Sequence, residues 1–467
     1  MKRSLFVVLC ALFCFLSKAQ TNFTLLNYKD FVSRVLQDHP LARHAQLRTD
    51  MADAEWLSAK GAIDPMISSN WNQKSFDQKR YYRHFQTQLT IPTRLGINFV
   101  AGYENTDGVF LNPEQTTEPY GLWNVGLEVN VLQGLLVNER RVALQQAQFF
   151  RQLFDNQKAM LLNDLLYVAT LAYLDWQKYH SYQTIVDENQ QLAQTYFDNT
   201  KLAFENGEKT GMDTLEAMIV LQDASNLLQS NKAALTKARQ NLENFLWENE
   251  QPTLLQEDAI PQQYTAALFL DVNRGSVNEM VLQHPLVLEK LNKQSLLEIE
   301  QRLKREKLKP KLKVKFNPLL ASREDSLWPI YDFTDQKWGI DFSMPLFFRR
   351  EKAALQMGNI KLKENQLNLS NKQNELLNKL ENSIQQQSIL QAQLDLQEQS
   401  VLGYRRLLDG ENERFRFGES SVFLVNKRQE KYINGQLKLI ELTTKSQLER
   451  LIYWYYSNGI IQQIGEN

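Results

Sequence analysis

Phe204-Glu205-Asn206-Gly207-Glu208-Lys209-Thr210 returns about 211 residues later as Phe415-Arg416-Phe417-Gly418-Glu419-Ser420-Ser421. These stretches interrupt segments that hold neither Gly nor Pro: Leu135 to Asn206, Met212 to Gln251 and, before the second, Asn359 to Leu402. Gly just past a helix end supplies a left-handed cap, and Thr210 or Ser420/Ser421 can cap the helix that follows. Each stretch therefore reads as the turn of a helical hairpin. At 1.5 Å per residue, a helix through most of Leu135–Asn206 exceeds about 90 Å, whereas an average globular helix has about 11–12 residues. Such lengths predict coiled coils, not a compact core.

The apolar residues of these segments fall on stripes. Leu153, Phe154, Leu161, Leu165, Val168, Leu171 and Leu174 recur at short helical spacings. Leu215, Ile219, Leu221, Leu227 and Leu228 are interleaved with Gln222, Asn226 and Gln229. Leu437, Leu439, Leu442, Leu448 and Leu451 mark the last long helix. Polar residues such as Gln385-Gln386-Gln387 fill the other faces. A helix of this kind packs on neighbours and can still face water. That suits the wall of a water-filled tunnel; a solid coiled-coil rod is the alternative.

The doubling extends over most of the chain, and such repeats decide architecture. His39-Pro40-Leu41 recurs as His284-Pro285-Leu286, and the same offset sets Pro65 on Pro310, Ile67 on Leu312 and Trp71 on Phe316. Ala143-Leu144-Gln145 recurs as Ala354-Leu355-Gln356 at the shorter offset of the turns, so the first copy carries about 34 extra residues between Trp71 and Ala143. The expected organisation is a leader over 1–19, one repeat over 20–257 and a second over 258–467. Each repeat runs helix, strands, long helical hairpin. The link holds Pro252, Pro261 and Gly275.

Between helix and hairpin the period changes to two, the mark of a half-buried strand. Trp123, Val125, Leu127, Val129 and Val131 alternate with Asn124, Gly126, Glu128 and Asn130; Leu312, Val314 and Phe316 alternate with Lys313 and Lys315; Trp338, Ile340, Phe342 and Met344 alternate with Gly339, Asp341 and Ser343. Two more such runs, 82–91 and 95–103, lie in the first copy. Long polar loops follow at Asn105–Tyr120 and Ala321–Tyr331. A transmembrane strand needs about 9–11 residues of this alternation, and the aromatic ends (Tyr81, Tyr82, Tyr103, Trp123, Trp338) suit a membrane boundary.

At the start, Lys2 and Arg3 precede an apolar run from Ser4 to Leu16, and Ser17-Lys18-Ala19 offers a cleavage site before Gln20: a secretory signal. Both cysteines, Cys10 and Cys14, lie inside it, which leaves the mature chain without disulfides or thiolate sites. No later apolar run is long enough for a transmembrane helix, so any membrane crossing must use a closed barrel. Of 467 residues 43% are hydrophobic, which fits an ordered protein, and the net charge of −1 gives no basis for nucleic-acid binding.

In its His-Pro-Leu starts, the Pro before the first strand of each half, the stretch Met344-Pro345-Leu346-Phe347 and the Phe-x-x-Gly turns, the chain resembles the TolC-like outer-membrane efflux family. The resemblance implies an internally duplicated α+β membrane protein in which a long antiparallel coiled-coil tunnel joins a transmembrane β-barrel shared by a homotrimer. It implies a passive export duct in the outer membrane, part of a tripartite efflux or type I secretion system. Its partners would be outer-membrane lipid, a periplasmic adaptor (a membrane fusion protein) and an inner-membrane pump. The turns at Gly207, Glu208, Gly418 and Glu419 would be periplasmic tips that meet the adaptor. The tunnel mouth would involve Asp213, Glu216, Leu424, Asn426 and Lys427, and the barrel aromatics would be Trp71, Tyr103, Trp123, Phe316 and Trp338.

The sequence departs from the family's pattern in two places. Where some members carry a ring of aspartates, Val422 to Arg428 is neutral or basic. Members usually give four strands each to a twelve-stranded barrel; the additional runs at 82–91 and 95–103 either enlarge that barrel or fold elsewhere. No catalytic constellation is present: no His-Glu-x-x-His, no phosphate loop, no Gly-x-Ser-x-Gly. Neither a cofactor nor a metal is expected. His39 and His284 each precede a proline and read as structural; His44, His84 and His180 are isolated. Glu139-Arg140-Arg141 and Arg349-Arg350-Glu351 read as charge pairs where strand passes to helix. An exported coiled-coil scaffold without a pore is the alternative function.

Overall fold

The computed structural model describes residues 24–265, 268–269, 275, 277–321 and 330–466. The leader over 1–19 and most of the loop Ala321–Tyr331 lie outside them. The chain forms two compact units, each drawing on both halves of the sequence. One takes residues up to His44, then Leu161–Met280 and Leu376 onward; the other takes Ala45–Met160 and Val281–Glu375.

In chain order the elements are β1 (Thr24–Leu26), α1 (Tyr28–Asp38), α2 (Pro40–Gly61), β2 (Met66–Phe76), β3 (Lys79–Pro92), β4 (Ile97–Asp107), β5 (Leu122–Asn130), α3 (Glu139–Glu205) and α4 (Gly211–Glu243). Then follow β6 (Trp247–Glu248), β7 (Gln251–Pro252), β8 (Ala259–Pro261), α5 (Val277–Gln283), α6 (Pro285–Glu306), β9 (Lys311–Ala321), β10 (Ile330–Ser343), α7 (Arg349–Arg416), α8 (Val422–Tyr456) and α9 (Ile460–Glu466). α2 and α6 both have 22 residues, α3 and α7 have 67 and 68, and α4 and α8 have 33 and 35.

α2 and α6 begin alike. Proline at the first helical position has no N–H to leave unsatisfied. The preceding histidine fills the cap: His39 Nδ1 accepts the Leu41 N–H at 3.2 Å, and His284 Nδ1 accepts that of Leu286 at 3.1 Å. Only a neutral imidazole can accept there. Burial holds both below the ordinary histidine range, His284 at about 4.

The two hairpin turns are built identically. Gly207 (φ 79°) and Gly418 (φ 73°) are left-handed. Gly207 N–H bonds to Phe204 C=O and Glu208 N–H to Ala203 C=O; Gly418 N–H bonds to Phe415 C=O and Glu419 N–H to Arg414 C=O. These paired bonds are the Schellman arrangement. The helices that follow differ in their caps. Thr210 and Asp213 make a reciprocal capping box for α4, while Ser421 alone caps α8 by accepting the Leu424 N–H.

Beyond the turns the helices pack on seven-residue repeats. In α4 the buried face carries Ala217, Ala224, Asn231 and Ala238 with Leu228 and Leu242. That seam differs from the stripe expected from the leucines, because Leu215 and Ile219 remain exposed: small residues let helix backbones approach, so the alanines take the seam. Asn231 Nδ2 donates to Gln183 Oε1 (2.8 Å) and Tyr179 C=O (3.2 Å), tying α4 to α3. Gln397 Nε2 donates to Gly435 C=O at 2.9 Å and ties α7 to α8. The hairpins are joined by Tyr182 Oη donating to Leu437 C=O (3.1 Å) and Asn163 Nδ2 to Tyr455 C=O (2.9 Å), both between α3 and α8.

The core of this first unit gathers α1 (Phe31, Val32, Val35) against Leu165, Leu166, Tyr173 and Trp176 of α3, with Leu242, Phe269 and Leu451. β1 and β8 pair in parallel over it. The second unit is built on a six-stranded antiparallel sheet in the order β10-β9-β5-β4-β3-β2.

Replacing Gly207 or Gly418 by Ala should cost roughly 1–2 kcal/mol, because a Cβ is strained at this φ, and Asn should cost less. Faster amide hydrogen exchange confined to that turn is the readout. Ala at His284 should cost about 1 kcal/mol as a lost cap. Because its folded pKa is depressed, His284's contribution is complete above pH 6.5 and lost as pH falls toward about 4. Thermal melts across that window should show His284→Ala losing the part of the acid sensitivity that this group supplies.

Candidate membrane-facing sheet and helical tips

The sheet has one apolar face and one polar face. Along the registers, Ile67–Leu89–Ala101–Val125, Thr87–Tyr103–Trp123–Leu320–Tyr331, Ile91–Phe99–Leu127–Phe316–Trp338 and Ile97–Val129–Val314–Ile340 lie in successive rows on one side. All five aromatics singled out from the sequence, Trp71, Tyr103, Trp123, Phe316 and Trp338, share this side. Their rings interlock with neighbours: Trp71 meets Phe85 (6.0 Å) and Tyr103 meets Trp123 (4.9 Å). Trp71 is 64% and Trp338 68% exposed. A contiguous apolar face left open this way marks an interaction surface.

The opposite side carries His84, Gln86, Gln88, Glu104, Asn124, Glu128, Lys313, Lys315 and Asp341. Lys313 Nζ lies 3.2 Å from Glu128 Oε2 and Lys315 Nζ 2.8 Å from Asp341 Oδ2. Every helix joined to the sheet attaches at one end, where Glu139 Oε1 lies 2.7 Å from Lys307 Nζ and Arg140 donates to the Asn98 amide Oδ1 at 2.8 Å. The long connection Gly108–Gly121 lies at the other end.

The extra runs at 82–91 and 95–103 prove to be β3 and β4, inserted within the sheet between β2 and β5. They do not fold elsewhere. Their turn is clamped at the helix end, where Gly96 N–H donates to Leu135 C=O (2.9 Å) and Gly96 C=O accepts from Asn130 N–H (2.8 Å). A Cβ on Gly96 would lie 2.3 Å from Gly134 O, so the close approach requires glycine.

The tip and mouth residues separate into different roles. Gly207, Glu208, Gly418 and Glu419 sit in the turns. Asp213 is committed to the cap: its carboxylate accepts Thr210 N–H at 2.8 Å and Thr210 Oγ1–H at 2.7 Å, and these bonds hold its pKa below the usual range. Glu216, Asn426 and Lys427 come together, with Tyr196, Asp223 and Glu430, around a groove of about 410 Å³ among α3, α4 and α8. Leu424 is not among its lining residues. Lys427 pairs with Glu430 at 2.8 Å. The acid of this groove comes from Glu216, Asp223 and Glu430, so it is not built from the segment after Gly418 alone.

Glu411 was not legible from the sequence, being one acid among many on α7. Its carboxylate accepts Ser420 Oγ–H at 2.6 Å and Arg428 Nε–H at 3.3 Å. These partners, Ser420 first, hold its pKa below the ordinary glutamate range. It latches α7, the turn and α8 together. The first tip has Thr200 at the matching position and uses the Thr210–Asp213 box instead.

A scan against protein-family models finds no match, and a search of curated proteins finds none either. Solved structures do match. CusC, described as forming a transmembrane channel, is 15% identical with a TM-score of 0.66, over 92% of this chain and 91% of that one. VceC, an outer membrane protein of Vibrio cholerae, is 13% identical with a TM-score of 0.64, over 92% and 95%. The CmeC outer membrane channel of Campylobacter jejuni is 10% identical with a TM-score of 0.65, over 92% and 85%. The chain has the TolC-like fold. At such identities the fold is what is shared, and the individual residues differ. In this chain the sheet has six strands and the two tips are secured by unlike latches.

Glu411→Gln should loosen the second tip alone. Hydrogen exchange should quicken over residues 414–428 and stay unchanged over 203–217. Because the folded pKa of Glu411 is depressed, the latch should be intact above the ordinary glutamate value of 4.5 and weaken as pH falls through the folded one.

Proposed function

We propose that the chain is one protomer of a homotrimeric outer-membrane channel, a passive export duct serving a tripartite efflux or type I secretion system. The observation that carries this is the sheet. Its strands of 9 to 14 residues have transmembrane length, a mainly apolar, aromatic-rich face and a charged reverse face. Among the described residues of a single copy the outer edges of β2 and β10 are unpaired, and in lipid every backbone group needs a partner. Sister copies satisfy both needs by closing a barrel, with apolar side chains to lipid and polar ones to a water-filled lumen.

The helices extend this duct into the periplasm. α7 exposes Met357, Ile360, Leu367 and Leu396, apolar contacts for a neighbouring copy. At the tips Phe417 is 81% exposed, and Phe415, Phe423, Met212 and Phe204 are exposed as well. These anchors, with the Gly207 and Gly418 turns, form the surface for a periplasmic adaptor that leads to an inner-membrane pump. The duplicated element order provides two like hairpins per copy, hence a tunnel wall of repeated units. No role in this reading requires a reacting group, and the chain is not assigned as an enzyme.

Purified from membranes, the protein should require detergent, run as a trimer and conduct ions in planar bilayers. Trp338→Lys should lower the yield of trimer, since a lysine on the lipid face is destabilising by an amount that grows with its depth in the bilayer; Phe417→Glu should leave trimer and conductance intact while weakening adaptor binding. A water-soluble, non-conducting monomer would favour the scaffold reading instead.

A further inference from the structure

We infer that the inserted β3–β4 hairpin makes this channel's barrel one of eighteen strands, closed by β2 of each copy pairing with β10 of the next. The inference rests on the homotrimer proposed above. Three copies of a six-stranded sheet supply the strands, against the twelve that four per copy would give.

Three observations support it. The insert carries the same facial pattern as its neighbours. Phe85, Leu89 and Ile91 of β3 and Ile97, Phe99 and Tyr103 of β4 lie in the apolar rows, while His84, Gln86, Gln88 and Glu104 lie on the polar side. A hairpin meant to plug a water-filled lumen has no use for an apolar aromatic face in register with the lipid-facing one. The strands are also long enough to span, at 14 and 11 residues. Finally, an even count keeps the pattern closed. With all neighbours antiparallel, β2 and β10 run in opposite directions, so the edges of successive copies meet antiparallel, as in other even-numbered barrels.

The insert widens the sheet without adding a helix, because β3 and β4 are joined by the short turn Thr93–Gly96. Barrel diameter grows roughly linearly with strand number, and barrels of about 16–18 strands leave an aqueous channel. Going from twelve to eighteen enlarges the diameter about 1.5-fold and the cross-section roughly twofold. The membrane segment is then a wide conduit, and any narrowing that selects cargo belongs to the helical part.

Electron cryomicroscopy of the full-length trimer in lipid nanodiscs tests this by counting strands. Eighteen strands with β2 against the neighbour's β10 is the expected result. A three-fold particle with twelve strands, the hairpin lying in the lumen or outside the wall, would overturn the inference and leave the channel intact. A particle without three-fold symmetry, or without a barrel, would overturn both. Disulfide trapping gives a second reading on the full chain: Ser69→Cys paired with single cysteines placed in turn along 333–343 should yield linked dimers. Trapping of Ser69→Cys within one chain to Trp123→Cys or its neighbours on β5 would contradict the proposal, because it would put β2 where β4 now stands.

Discussion

The unpaired edges and bare apolar face of one six-stranded sheet set the terms for the rest of the molecule. The outer edges of β2 and β10 have no strand beside them among the described residues, and rings such as Trp71 and Trp338 stay largely exposed. Exposed edges of this length invite pairing with another chain. A soluble protein would cover such a sheet with its own helices. Here all the helices joined to it leave from one end, and the face stays open.

The helical elements follow a related logic. Seven-residue seams of alanine and leucine bury one side of α4 against α3, and asparagine at one seam position fixes register through Gln183 and Tyr179. The remaining sides are left for water and for further apolar contacts. Two Schellman turns reverse the chain with the same hydrogen bonds, yet each tip is then secured differently. The first relies on a local capping box and the second on the longer-range Glu411–Ser420–Arg428 latch. Local hydrogen bonds within three residues reform independently of their surroundings, whereas the Glu411 latch requires α7 and α8 to be packed.

Much of this was legible in the sequence, because it rests on short-range periodicity. Breaker-free runs marked α3, α4 and α7; Gly207 and Gly418 marked the turns; alternation located the strands and put the five aromatics on one face. What escaped was long-range pairing. Nothing in residues 82–103 says whether their alternation continues the sheet or forms another one; the register with β2 and β5 decides it. The seam of α4 was misplaced because leucines outweigh alanines in any hydrophobic count, although close helix approach favours the smaller side chain. Asp213 offered a charge near the tip, but its carboxylate is spent on Thr210. Glu411 gave no signal, since a buried acid is recognised only by the partners that surround it.

The proposal that the apolar side of the sheet meets lipid can be tested directly. The described residues contain no cysteine, so Trp338→Cys, Gly339→Cys, Ile340→Cys and Asp341→Cys can each carry a single nitroxide in protein reconstituted into liposomes. The account predicts strict alternation, with oxygen relaxing the labels at 338 and 340 and a water-soluble nickel reagent relaxing those at 339 and 341. Equal access of the nickel reagent to all four positions would contradict it.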